Sequence, residues 1–596
     1  MSTMLSDEAL AKAREALRAN APQNAVTTLL HAAEQTHLSG RDYDELLRLL
    51  ADSLRAVGLL RAAASVWLYL REPQAVASLS AREPRDLGRA AQLAGNHGAA
   101  AECFRQARWP AHAAIACERA RQFPAARGLW EEVSADPRLR EDPYTAALVS
   151  FNLGRVLSEL SDPHGAHRCR VRATRLLEEA ADVLEARGLR ERAFDCFQVL
   201  LTLGAETGSF ENLAEGYLNC IRILREDHLK YYALQYYEDF IGRAERAGEH
   251  HAVATILHEA SDYARNLGLA FHASLRVREA DSWRRAAEHT LRSGGAVELA
   301  ENALLAALGA YCAVGMHARA VGVFSSMAQL PGLEDKRAAR YRGLCTRYGS
   351  AQDEPVRLAP LPEYLRQPVA YPDIWNVDVI EWEEAGDAAE TCGEVLLDAT
   401  LPDYVRRKAL LARLVRLTSR DPEHPATQAQ VAEKLGAVQL YAVLAPLEHL
   451  YERGRNDVKV SVLRAGKTLF FKRTFGFIMK GVADADPQVR RAAMDAIGSL
   501  HFPHAFDPRS RLHRDSADPQ VRHAALGSIG RIPSLEAVEY LISTLGHAAG
   551  EERQKALELL VRNDAPEASG ALKAALTDAP PELSSLLDHI LRARAR

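Results

Sequence analysis

Two nine-residue stretches near the C-terminal end of the chain are almost identical: residues 485–493 read ADPQVRRAA and residues 517–525 read ADPQVRHAA. Each is followed by a small and apolar run that ends in Ile-Gly. An aspartate before a proline is typical of a helix start. Its carboxylate can accept hydrogen bonds from the first backbone N–H groups, and proline lacks the N–H that would otherwise have no partner there. Asp486 and Asp518 are therefore predicted N-caps of two equivalent helices.

The same register extends in both directions from these two copies. Lys459, Arg490, Arg522 and Arg553 occupy the equivalent position at steps of 31, 32 and 31 residues, and residues 404–409 (YVRRKA) look like an earlier copy. A repeat of this length holds one helical hairpin, which buries its apolar face only by stacking on its neighbours. The back half of the chain is therefore predicted to be a stack of helical hairpins.

This pattern resembles the HEAT repeat, and it is most similar to the variety found in phycobilin-lyase-like proteins. The resemblance implies a ladder in which each arginine reaches the aspartate of a neighbouring repeat. Arg490 and Arg522 would then be structural residues that stabilise the stack, together with Asp486 and Asp518. In the sequence alone, the two arginines resemble a basic stripe.

A different pattern recurs in the front half: a glycine, an alanine five residues later and a bulky aromatic residue nine residues after the glycine. Glycine permits the positive φ of a tight turn, and the alanine and the aromatic residue share one face of the following helix. The full copies begin at Gly58, Gly95, Gly188 and Gly315, and a fifth copy has Arg121 in place of glycine. These positions resemble the turn and second helix of the tetratricopeptide repeat (TPR), which implies a TPR-like repeat domain.

The helical pattern stops between residues 349 and 372, where prolines 355, 360, 362, 368 and 372 fall within eighteen residues. Proline removes a backbone donor and clashes inside a helix. This proline-rich stretch is predicted to be an extended linker or a loop that is held down on the repeats.

The next stretch, residues 367–405, contains no lysine or arginine and is rich in aspartate and glutamate; it is called the acidic segment below. Trp375 and Trp382 lie among these acids, next to Glu383 and Glu384. Two interpretations stay open. The acidic segment is a solvated helix, or it is a docking surface for a basic partner, since tryptophan within a charged surface is a frequent binding anchor.

Basic and aromatic residues interleave in residues 467–480 (KTLFFKRTFGFIMK), called the basic-aromatic segment below. Such interleaving is found where proteins contact nucleic acids or other anionic surfaces. The alternative is that its phenylalanines form the packing face of one HEAT helix while the cations are solvated. The candidate contact residues of this segment are Lys467, Phe471, Lys472, Arg473 and Lys480.

No motif in the sequence favours catalysis. The tetrapeptide AGKT at residues 465–468 lacks the glycine that a phosphate-binding loop needs five residues before Gly466, where Ser461 stands instead. His164, His167 and Cys169 have no second cluster that would supply a fourth metal ligand. We therefore expect no enzymatic activity, no catalytic residue, no cofactor and no metal.

The charge is divided unevenly along the chain. Residues 401–596 carry 29 Lys and Arg against 23 Asp and Glu, whereas the rest carries 45 against 56. This asymmetry is weaker than that of a dedicated nucleic-acid binder. The eight cysteines form no CxxC pair, which favours free thiols in a reducing compartment. No run of eighteen apolar residues predicts membrane insertion, and a ratio of 11 lysines to 63 arginines is typical of a GC-rich bacterial genome.

Together these features predict an all-α fold, an α-α superhelix built as a two-part α-solenoid. Its predicted parts are a TPR-like domain over residues 1–348, a proline-rich linker over residues 349–372 and a HEAT-like domain over residues 373–596. Solenoids recognise partners through extended concave surfaces. The chain is therefore predicted to be a cytoplasmic, non-catalytic scaffold or adaptor that binds one or more proteins within a larger bacterial assembly. The alternative is a nucleic-acid-binding HEAT protein that uses the basic C-terminal half.

Overall fold

The computed structural model describes residues 2–34, 40–79, 83–186, 190–226, 229–355, 358–366, 368–369, 375–385, 390, 392–469, 471, 473–499 and 506–594. Over these residues the chain consists of α-helices, a few short 3-10 turns and connecting loops, with no strand. The predicted all-α repeat architecture is therefore confirmed.

The chain forms two compact units that do not follow the predicted domain boundaries. Unit 1 comprises Met1–Ala193 and Asp373–Arg596, and unit 2 comprises Phe194–Pro372. The predicted division into residues 1–348, 349–372 and 373–596 stays a prediction. The acidic segment belongs to unit 1 because it packs against the N-terminal helices of the chain.

The N-terminal part of unit 1 is a run of helices, each packed on the next. Its helices are α1 (Ser2–Arg18), α2 (Pro22–Ala33), α3 (Gly40–Ala56), α4 (Leu60–Tyr69), α5 (Pro73–Ala77), α6 (Pro84–Leu93), α7 (His97–Gln106), α8 (Pro110–Arg119), α9 (Phe123–Ser134), α10 (Pro143–Glu159) and α11 (Pro163–Ala186). A 3-10 turn, Pro137–Arg140, precedes α10. Helix α12 (Arg190–Thr207) runs from unit 1 into unit 2.

The repeated glycines of the front half lie in tight turns. Gly58, Gly95 and Gly315 have φ angles of +80°, +74° and +71°, and Arg121 adopts φ +56° where the pattern lacks glycine. The alanine five residues after each of these four positions is buried, so neighbouring helices approach closely there. Gly188 lies outside the described residues.

Unit 2 continues as a further run of helices. They are α13 (Phe210–Glu226), α14 (Lys230–Ala247), α15 (His250–Asn266), α16 (His272–Arg292), α17 (Val297–Ala313), α18 (His317–Ala328) and α19 (Asp335–Tyr348), followed by a 3-10 turn, Glu363–Arg366.

The proline-rich stretch after α19 is held down on unit 2 by polar and apolar contacts. The N–H of Glu354 donates to the carbonyl of Gly315 at 2.9 Å, and the hydroxyl of Ser274 donates to the carbonyl of Ala359 at 2.5 Å. Leu365 is fully buried. Of the two alternatives for this stretch, the structure therefore has the loop that is held down on the repeats.

The C-terminal part of unit 1 begins with the acidic segment and continues as stacked hairpins. Its helices are α20 (Trp375–Glu383), α21 (Gly393–Leu397), α22 (Asp403–Thr418), α23 (Pro425–Val438), α24 (Leu444–Arg453), α25 (Asn456–Gly466), α26 (Thr474–Val482), α27 (Pro487–Ser499), α28 (Phe506–Asp515), α29 (Pro519–Ile529), α30 (Leu535–His547), α31 (Gly550–Arg562), α32 (Ala568–Asp578) and α33 (Pro581–Arg594).

Alternate helices of this part pack on one another, as a stack of hairpins requires. Helices α25, α27, α29, α31 and α33 form one row in which each helix contacts the next. Asp486 and Asp518 cap two helices of this row: the carboxylate of each accepts the backbone N–H two residues later at 2.8 Å. The N-cap prediction is therefore confirmed for both residues.

The predicted ladder between arginines and the aspartates of neighbouring repeats is wrong. Arg490 donates to the carbonyls of Asp484 and Ala485 in the turn before its own helix, at 2.7 and 2.8 Å. Arg522 donates in the same way to the carbonyl of Ser516 at 3.1 Å. Each arginine therefore binds the turn that precedes its own helix, and Arg522 also lies 3.8 Å from a glutamate of the next repeat, Glu552.

Candidate functional site

The acidic segment binds the N-terminal helices of unit 1. The carboxylate of Glu383 accepts hydrogen bonds from the backbone N–H groups of Ala111 and His112, at 2.7 and 3.0 Å. These N–H groups belong to the first turn of α8, where backbone donors have no partner within the helix and favour negative charge. A side chain from residue 383 therefore caps a helix that starts at residue 110.

The next glutamate extends the same contact. Glu384 lies 2.8 Å from a guanidinium nitrogen of Arg89 and 3.2 Å from Nε2 of His112, whose Nδ1 lies 2.6 Å from Glu383. Burial alone would lower the pKa of His112, but the carboxylates of Glu383 and Glu384 outweigh it and raise that pKa to about 9. His112 is therefore an imidazolium at neutral pH, held between two carboxylates.

Glu390 lies at the centre of a buried arginine cluster and is inaccessible to solvent. Its carboxylate binds Arg61, lies 2.8 Å from Arg89 and is 3.4 Å from Arg85, while its backbone carbonyl accepts from Arg413 at 2.9 Å. Burial lowers the pKa of Arg413 to about 10, so this arginine also stays charged at neutral pH. We call Arg61, Arg85, Arg89, Arg413 and Glu390 the Glu390 cluster.

Tryptophan and aspartate side chains of α20 complete the contact. The guanidinium of Arg138 stacks over the ring of Trp382 at 4.2 Å, a cation–π contact within the chain. The hydroxyl of Tyr144 donates to Asp378 at 2.6 Å. The side chain of Trp375 lies outside the described residues.

Both interpretations of the acidic segment stay predictions, and the contacts of its described residues are internal to unit 1. Glu384 and Glu390 are buried rather than solvated, and Glu383 and Trp382 are engaged by α8 and by Arg138 rather than offered to a basic partner. The physical reason is that arginines of the front helices supply the positive charge that a partner was expected to bring.

The basic-aromatic segment meets the acidic segment inside unit 1. Arg473 binds Glu448 at 2.8 Å and Glu381 of α20 at 3.3 Å. Phe477 is buried, and Phe471 packs edge-on against Tyr441. The packing interpretation therefore fits these two phenylalanines, while Arg473 is an internal ion-pair partner.

The two exposed lysines of this segment also face carboxylates. Lys467 lies 2.8 Å from Asp495, and Lys480 lies 2.9 Å from Glu452. Lys472 lies outside the described residues. Because each described cation of the segment has an acidic neighbour, its net positive potential is small, and that weakens the case for phosphate binding here.

One hydrogen-bonded chain of titratable groups lies in the HEAT-like part. Nδ1 of His513 lies 2.8 Å from the hydroxyl of Tyr540, and its Nε2 lies 2.8 Å from Glu552. Burial raises the pKa of Tyr540 to about 12, so this phenol stays protonated and is a poor nucleophile at neutral pH. The contact joins α28 to α30 and α31 and has a structural explanation.

The described residues contain no group of three or more His, Cys, Asp and Glu side chains that could hold a metal ion. Among the described helices, none combines the length and the apolar character needed to cross a membrane.

Comparison with known proteins identifies the repeats of the C-terminal part. Residues 477–560 and 507–585 match HEAT repeats, in two overlapping stretches. This stretch of the chain is therefore built of HEAT repeats, whereas the TPR-like character of the front half and the phycobilin-lyase-like variety stay predictions. None of the curated proteins matches the chain.

Two solved structures align along most of the chain. The crystal structure of She4p covers 97% of this chain and 92% of its own, with 12% identity and a TM-score of 0.16. A circular tandem repeat protein with novel repeat topology and enhanced subunit contact surfaces covers 100% of this chain and 96% of its own, with 12% identity and a TM-score of 0.12. At these TM-scores neither alignment carries a functional argument.

Proposed function

We propose that the chain is a non-catalytic scaffold or adaptor that binds other proteins through the concave faces of its repeats. The observation that supports this most is the row of HEAT helices α25, α27, α29, α31 and α33. Each buries one side in the stack and leaves the opposite side to solvent. Repeat stacks of this kind present extended surfaces for protein recognition.

The use of charge inside unit 1 also supports a binding role over a catalytic one. Groups with a strongly shifted pKa, such as His112 and Arg413, are candidates for catalysis in principle. Here the neighbours that set these shifts are side chains and backbone groups of the same chain, within unit 1. They act as structural contacts between segments far apart in sequence.

The cellular location and the bacterial source are part of the same proposal. We infer a cytoplasmic, bacterial assembly in which the scaffold holds one or more proteins. Free cysteines and the preference for arginine over lysine support it. The absence of enzymatic activity stays a prediction.

The test is affinity purification of the tagged full-length chain from its native host after mild cross-linking, with mass spectrometry. A matched variant changes three exposed side chains of the HEAT row, Arg491→Ala, His523→Ala and Gln554→Ala. A control variant changes the exposed Glu8→Ala and Lys12→Ala on α1. We expect at least one protein to be recovered reproducibly with the wild type and with the control.

Loss of that protein from the HEAT-row variant would place its contact on the back repeats. Recovery of no protein above an unrelated bait would contradict the scaffold function. Recovery of nucleic acid alone, with all co-purifying protein released by nuclease, would instead favour the nucleic-acid-binding alternative.

A further inference from the structure

Helix α19 of unit 2 (Asp335–Tyr348) is exposed around most of its circumference. Ala338 is buried, and Tyr341, Leu344 and Cys345 are partly buried. These positions are three or four residues apart and therefore lie on one side of the helix, which packs against α18. The other sides of α19 are open to a ligand.

Three cations form a straight line along the open side of α19. Lys336, Arg340 and Arg347 are exposed, and they are separated by four and seven residues. On an α-helix this spacing places them within about 40° of one another over a length of roughly 16 Å, on the side opposite to Ala338. We call these three residues the α19 stripe.

The charge of this helix is not balanced by nearby acids. Residues 336–352 contain five lysines and arginines and no aspartate or glutamate, so α19 has a net charge of +4 when Asp335 at its start is included. Across the described residues, the α19 stripe forms no ion pair and no side-chain hydrogen bond. The ion pair of α19 is made by Arg337, with Glu301 of α17. The α19 stripe is therefore a positively charged surface that can attract an anionic ligand.

An exposed aromatic ring lies at the C-terminal end of the α19 stripe. Tyr348 is 45% exposed, and the guanidinium of Arg347 lies over its ring at 5.4 Å from the centroid. Surfaces that bind single-stranded nucleic acids combine the same two features, because cations follow the phosphate backbone and aromatic rings stack on the bases.

We propose that the α19 stripe and Tyr348 bind single-stranded RNA. Phosphate groups of the RNA contact Lys336 and the two arginines, whose planar guanidinium groups can each hold a phosphate through two parallel hydrogen bonds. An unpaired base stacks on the ring of Tyr348. This binding activity goes beyond the proposed scaffold function and does not depend on it.

The composition of the surface favours single-stranded RNA over other anionic partners. An acidic protein helix needs apolar anchors on the surface that receives it, but the exposed residues on either side of the α19 stripe, Ala339, Gly343 and Arg337, supply no large apolar side chain. A duplex keeps its bases stacked inside, whereas RNA loops and ends present unpaired bases to aromatic rings. Tyr348 can therefore contribute to binding only with an unpaired strand.

The test uses the full-length chain and a fluorescent single-stranded RNA of about 12 nucleotides without self-complementary sequence. Two further probes are the duplex of the same RNA and a glutamate-rich peptide of matched net charge. Binding is measured by fluorescence anisotropy at about 50 and about 200 mM salt.

The variants separate the cations from the aromatic ring. The α19 stripe is changed to glutamate at all three positions, and in a second variant to glutamine at all three. Tyr348→Ala removes the ring, and Tyr348→Phe keeps it. The charge-matched control reverses three exposed arginines of α11, Arg168→Glu, Arg172→Glu and Arg175→Glu. Because all the charged side chains changed here are exposed, we expect thermal melts like that of the wild type, and the glutamine variant introduces no repulsion within α19.

We expect the single-stranded RNA to bind the wild type with affinity that depends on salt. Three phosphate contacts predict a loss of roughly 20-fold between about 50 and about 200 mM salt. Both variants of the α19 stripe should bind at least about tenfold more weakly and lose most of this salt dependence. Tyr348→Ala should bind at least about fivefold more weakly, whereas Tyr348→Phe and the α11 control should bind like the wild type.

The proposal is overturned if the single-stranded RNA fails to bind the wild type, or if it binds the variants of the α19 stripe equally well. An equal loss in the α11 control also overturns it, since net charge rather than this surface would then be responsible. Tighter binding of the duplex would show that no base stacks on Tyr348, and tighter binding of the peptide would assign the surface to an acidic protein. Either result overturns the proposal.

The scaffold function has a separate readout, because recovery of partner proteins from the native host does not depend on RNA binding. Partner proteins recovered without RNA binding would reject the α19 surface alone. RNA binding without any recovered partner protein would reject the scaffold function alone.

Discussion

Replacement of Glu390 by glutamine tests whether the buried charges of unit 1 hold the acidic segment in place. The carboxylate of Glu390 is shared by Arg61, Arg85 and Arg89, and none of it reaches solvent. Glutamine has almost the same volume and keeps one acceptor oxygen, so the change removes a charge and leaves no cavity. The arginines would then be buried with less compensation.

The size of the effect follows from the burial of both partners. Removing one partner of a buried ion pair costs about 3–5 kcal/mol, because the remaining charge is left uncompensated. The matched control is Glu131→Gln on α9, where Arg127 and Glu131 pair at 2.8 Å with both side chains about half exposed. Exposed pairs contribute no more than about 1 kcal/mol, so the control should be nearly neutral.

The assay is hydrogen exchange of the full-length chain, followed by mass spectrometry. The amides of Ala111 and His112 report on the contact directly, because they donate to Glu383. If the segment detaches by local opening, a loss of about 3 kcal/mol corresponds to roughly 100-fold faster exchange. Local exchange is preferable to a global melt, since a chain with two compact units need not unfold in one step.

The result that refutes this reasoning is equally specific. If Glu390→Gln leaves exchange at the start of α8 and in Gly393–Leu397 unchanged, and matches Glu131→Gln in stability, the buried charges do not hold the acidic segment. Apolar packing alone would then account for the contact.

Three further predictions follow from the same structure. The pKa of His112 is raised to about 9 from 6.5 by Glu383 and Glu384. The protonated imidazole therefore stabilises the folded state by an amount on the order of a few kcal/mol, which is complete below pH 6.5 and is lost as pH rises through 9. Hydrogen exchange of α8 across this pH range measures the loss. Gly393→Ala should destabilise unit 1 by about 1–3 kcal/mol, measured by denaturant titration, because a Cβ there would overlap the guanidinium of Arg89. A double-mutant cycle of Arg490→Ala with Asp518→Ala should give a coupling below about 0.5 kcal/mol, since Arg490 binds carbonyls of its own turn.

Each of these predictions has a control and an opposing outcome. If the exchange of α8 still depends on pH in His112→Gln, another group is responsible. The control His164→Gln changes an exposed histidine and should keep the pH dependence of the wild type. Gly128→Ala on α9, which has open space around it, should stabilise by up to about 1 kcal/mol; equal effects at Gly128 and Gly393 would contradict the overlap. A coupling above about 1 kcal/mol in the double-mutant cycle would restore the ladder.

The hairpin stack and its helix starts could be predicted because their causes are local. The carboxylates of Asp486 and Asp518 cap helices two residues away, and the turn glycines act through their own φ angles. The hydrogen-bond partners of Arg490 could not be predicted in this way. Whether a side chain reaches a carbonyl six residues back or an aspartate of the next repeat depends on the spacing between stacked helices, which the sequence pattern alone does not specify.

The residues that bind the acidic segment were missed for a different reason. Arg89 and His112 belong to helices of the front repeats, about 270 to 300 residues before the glutamates that they bind, and a pattern search along the chain has no information at that separation. The distribution of charge along the sequence contains one indication of this contact. A long segment without basic residues, in a chain rich in arginine, needs positive charge from elsewhere, and the chain itself can supply it as readily as a partner can.

The same long-range contact crosses the proline-rich stretch. Prolines end helices and mark connections, but a connection separates two domains only when few contacts cross it. Here residues after the stretch supply the carboxylates for His112, Arg89 and Arg61 before it. In a chain cut at this stretch, Asp86 would remain beside Arg61 and Arg89. The buried cations His112 and Arg89 would nevertheless lose the carboxylates of the acidic segment, at a cost of several kcal/mol. The chain therefore forms unit 1 from both of its ends, with the glutamates of the acidic segment as the charge that the front helices require.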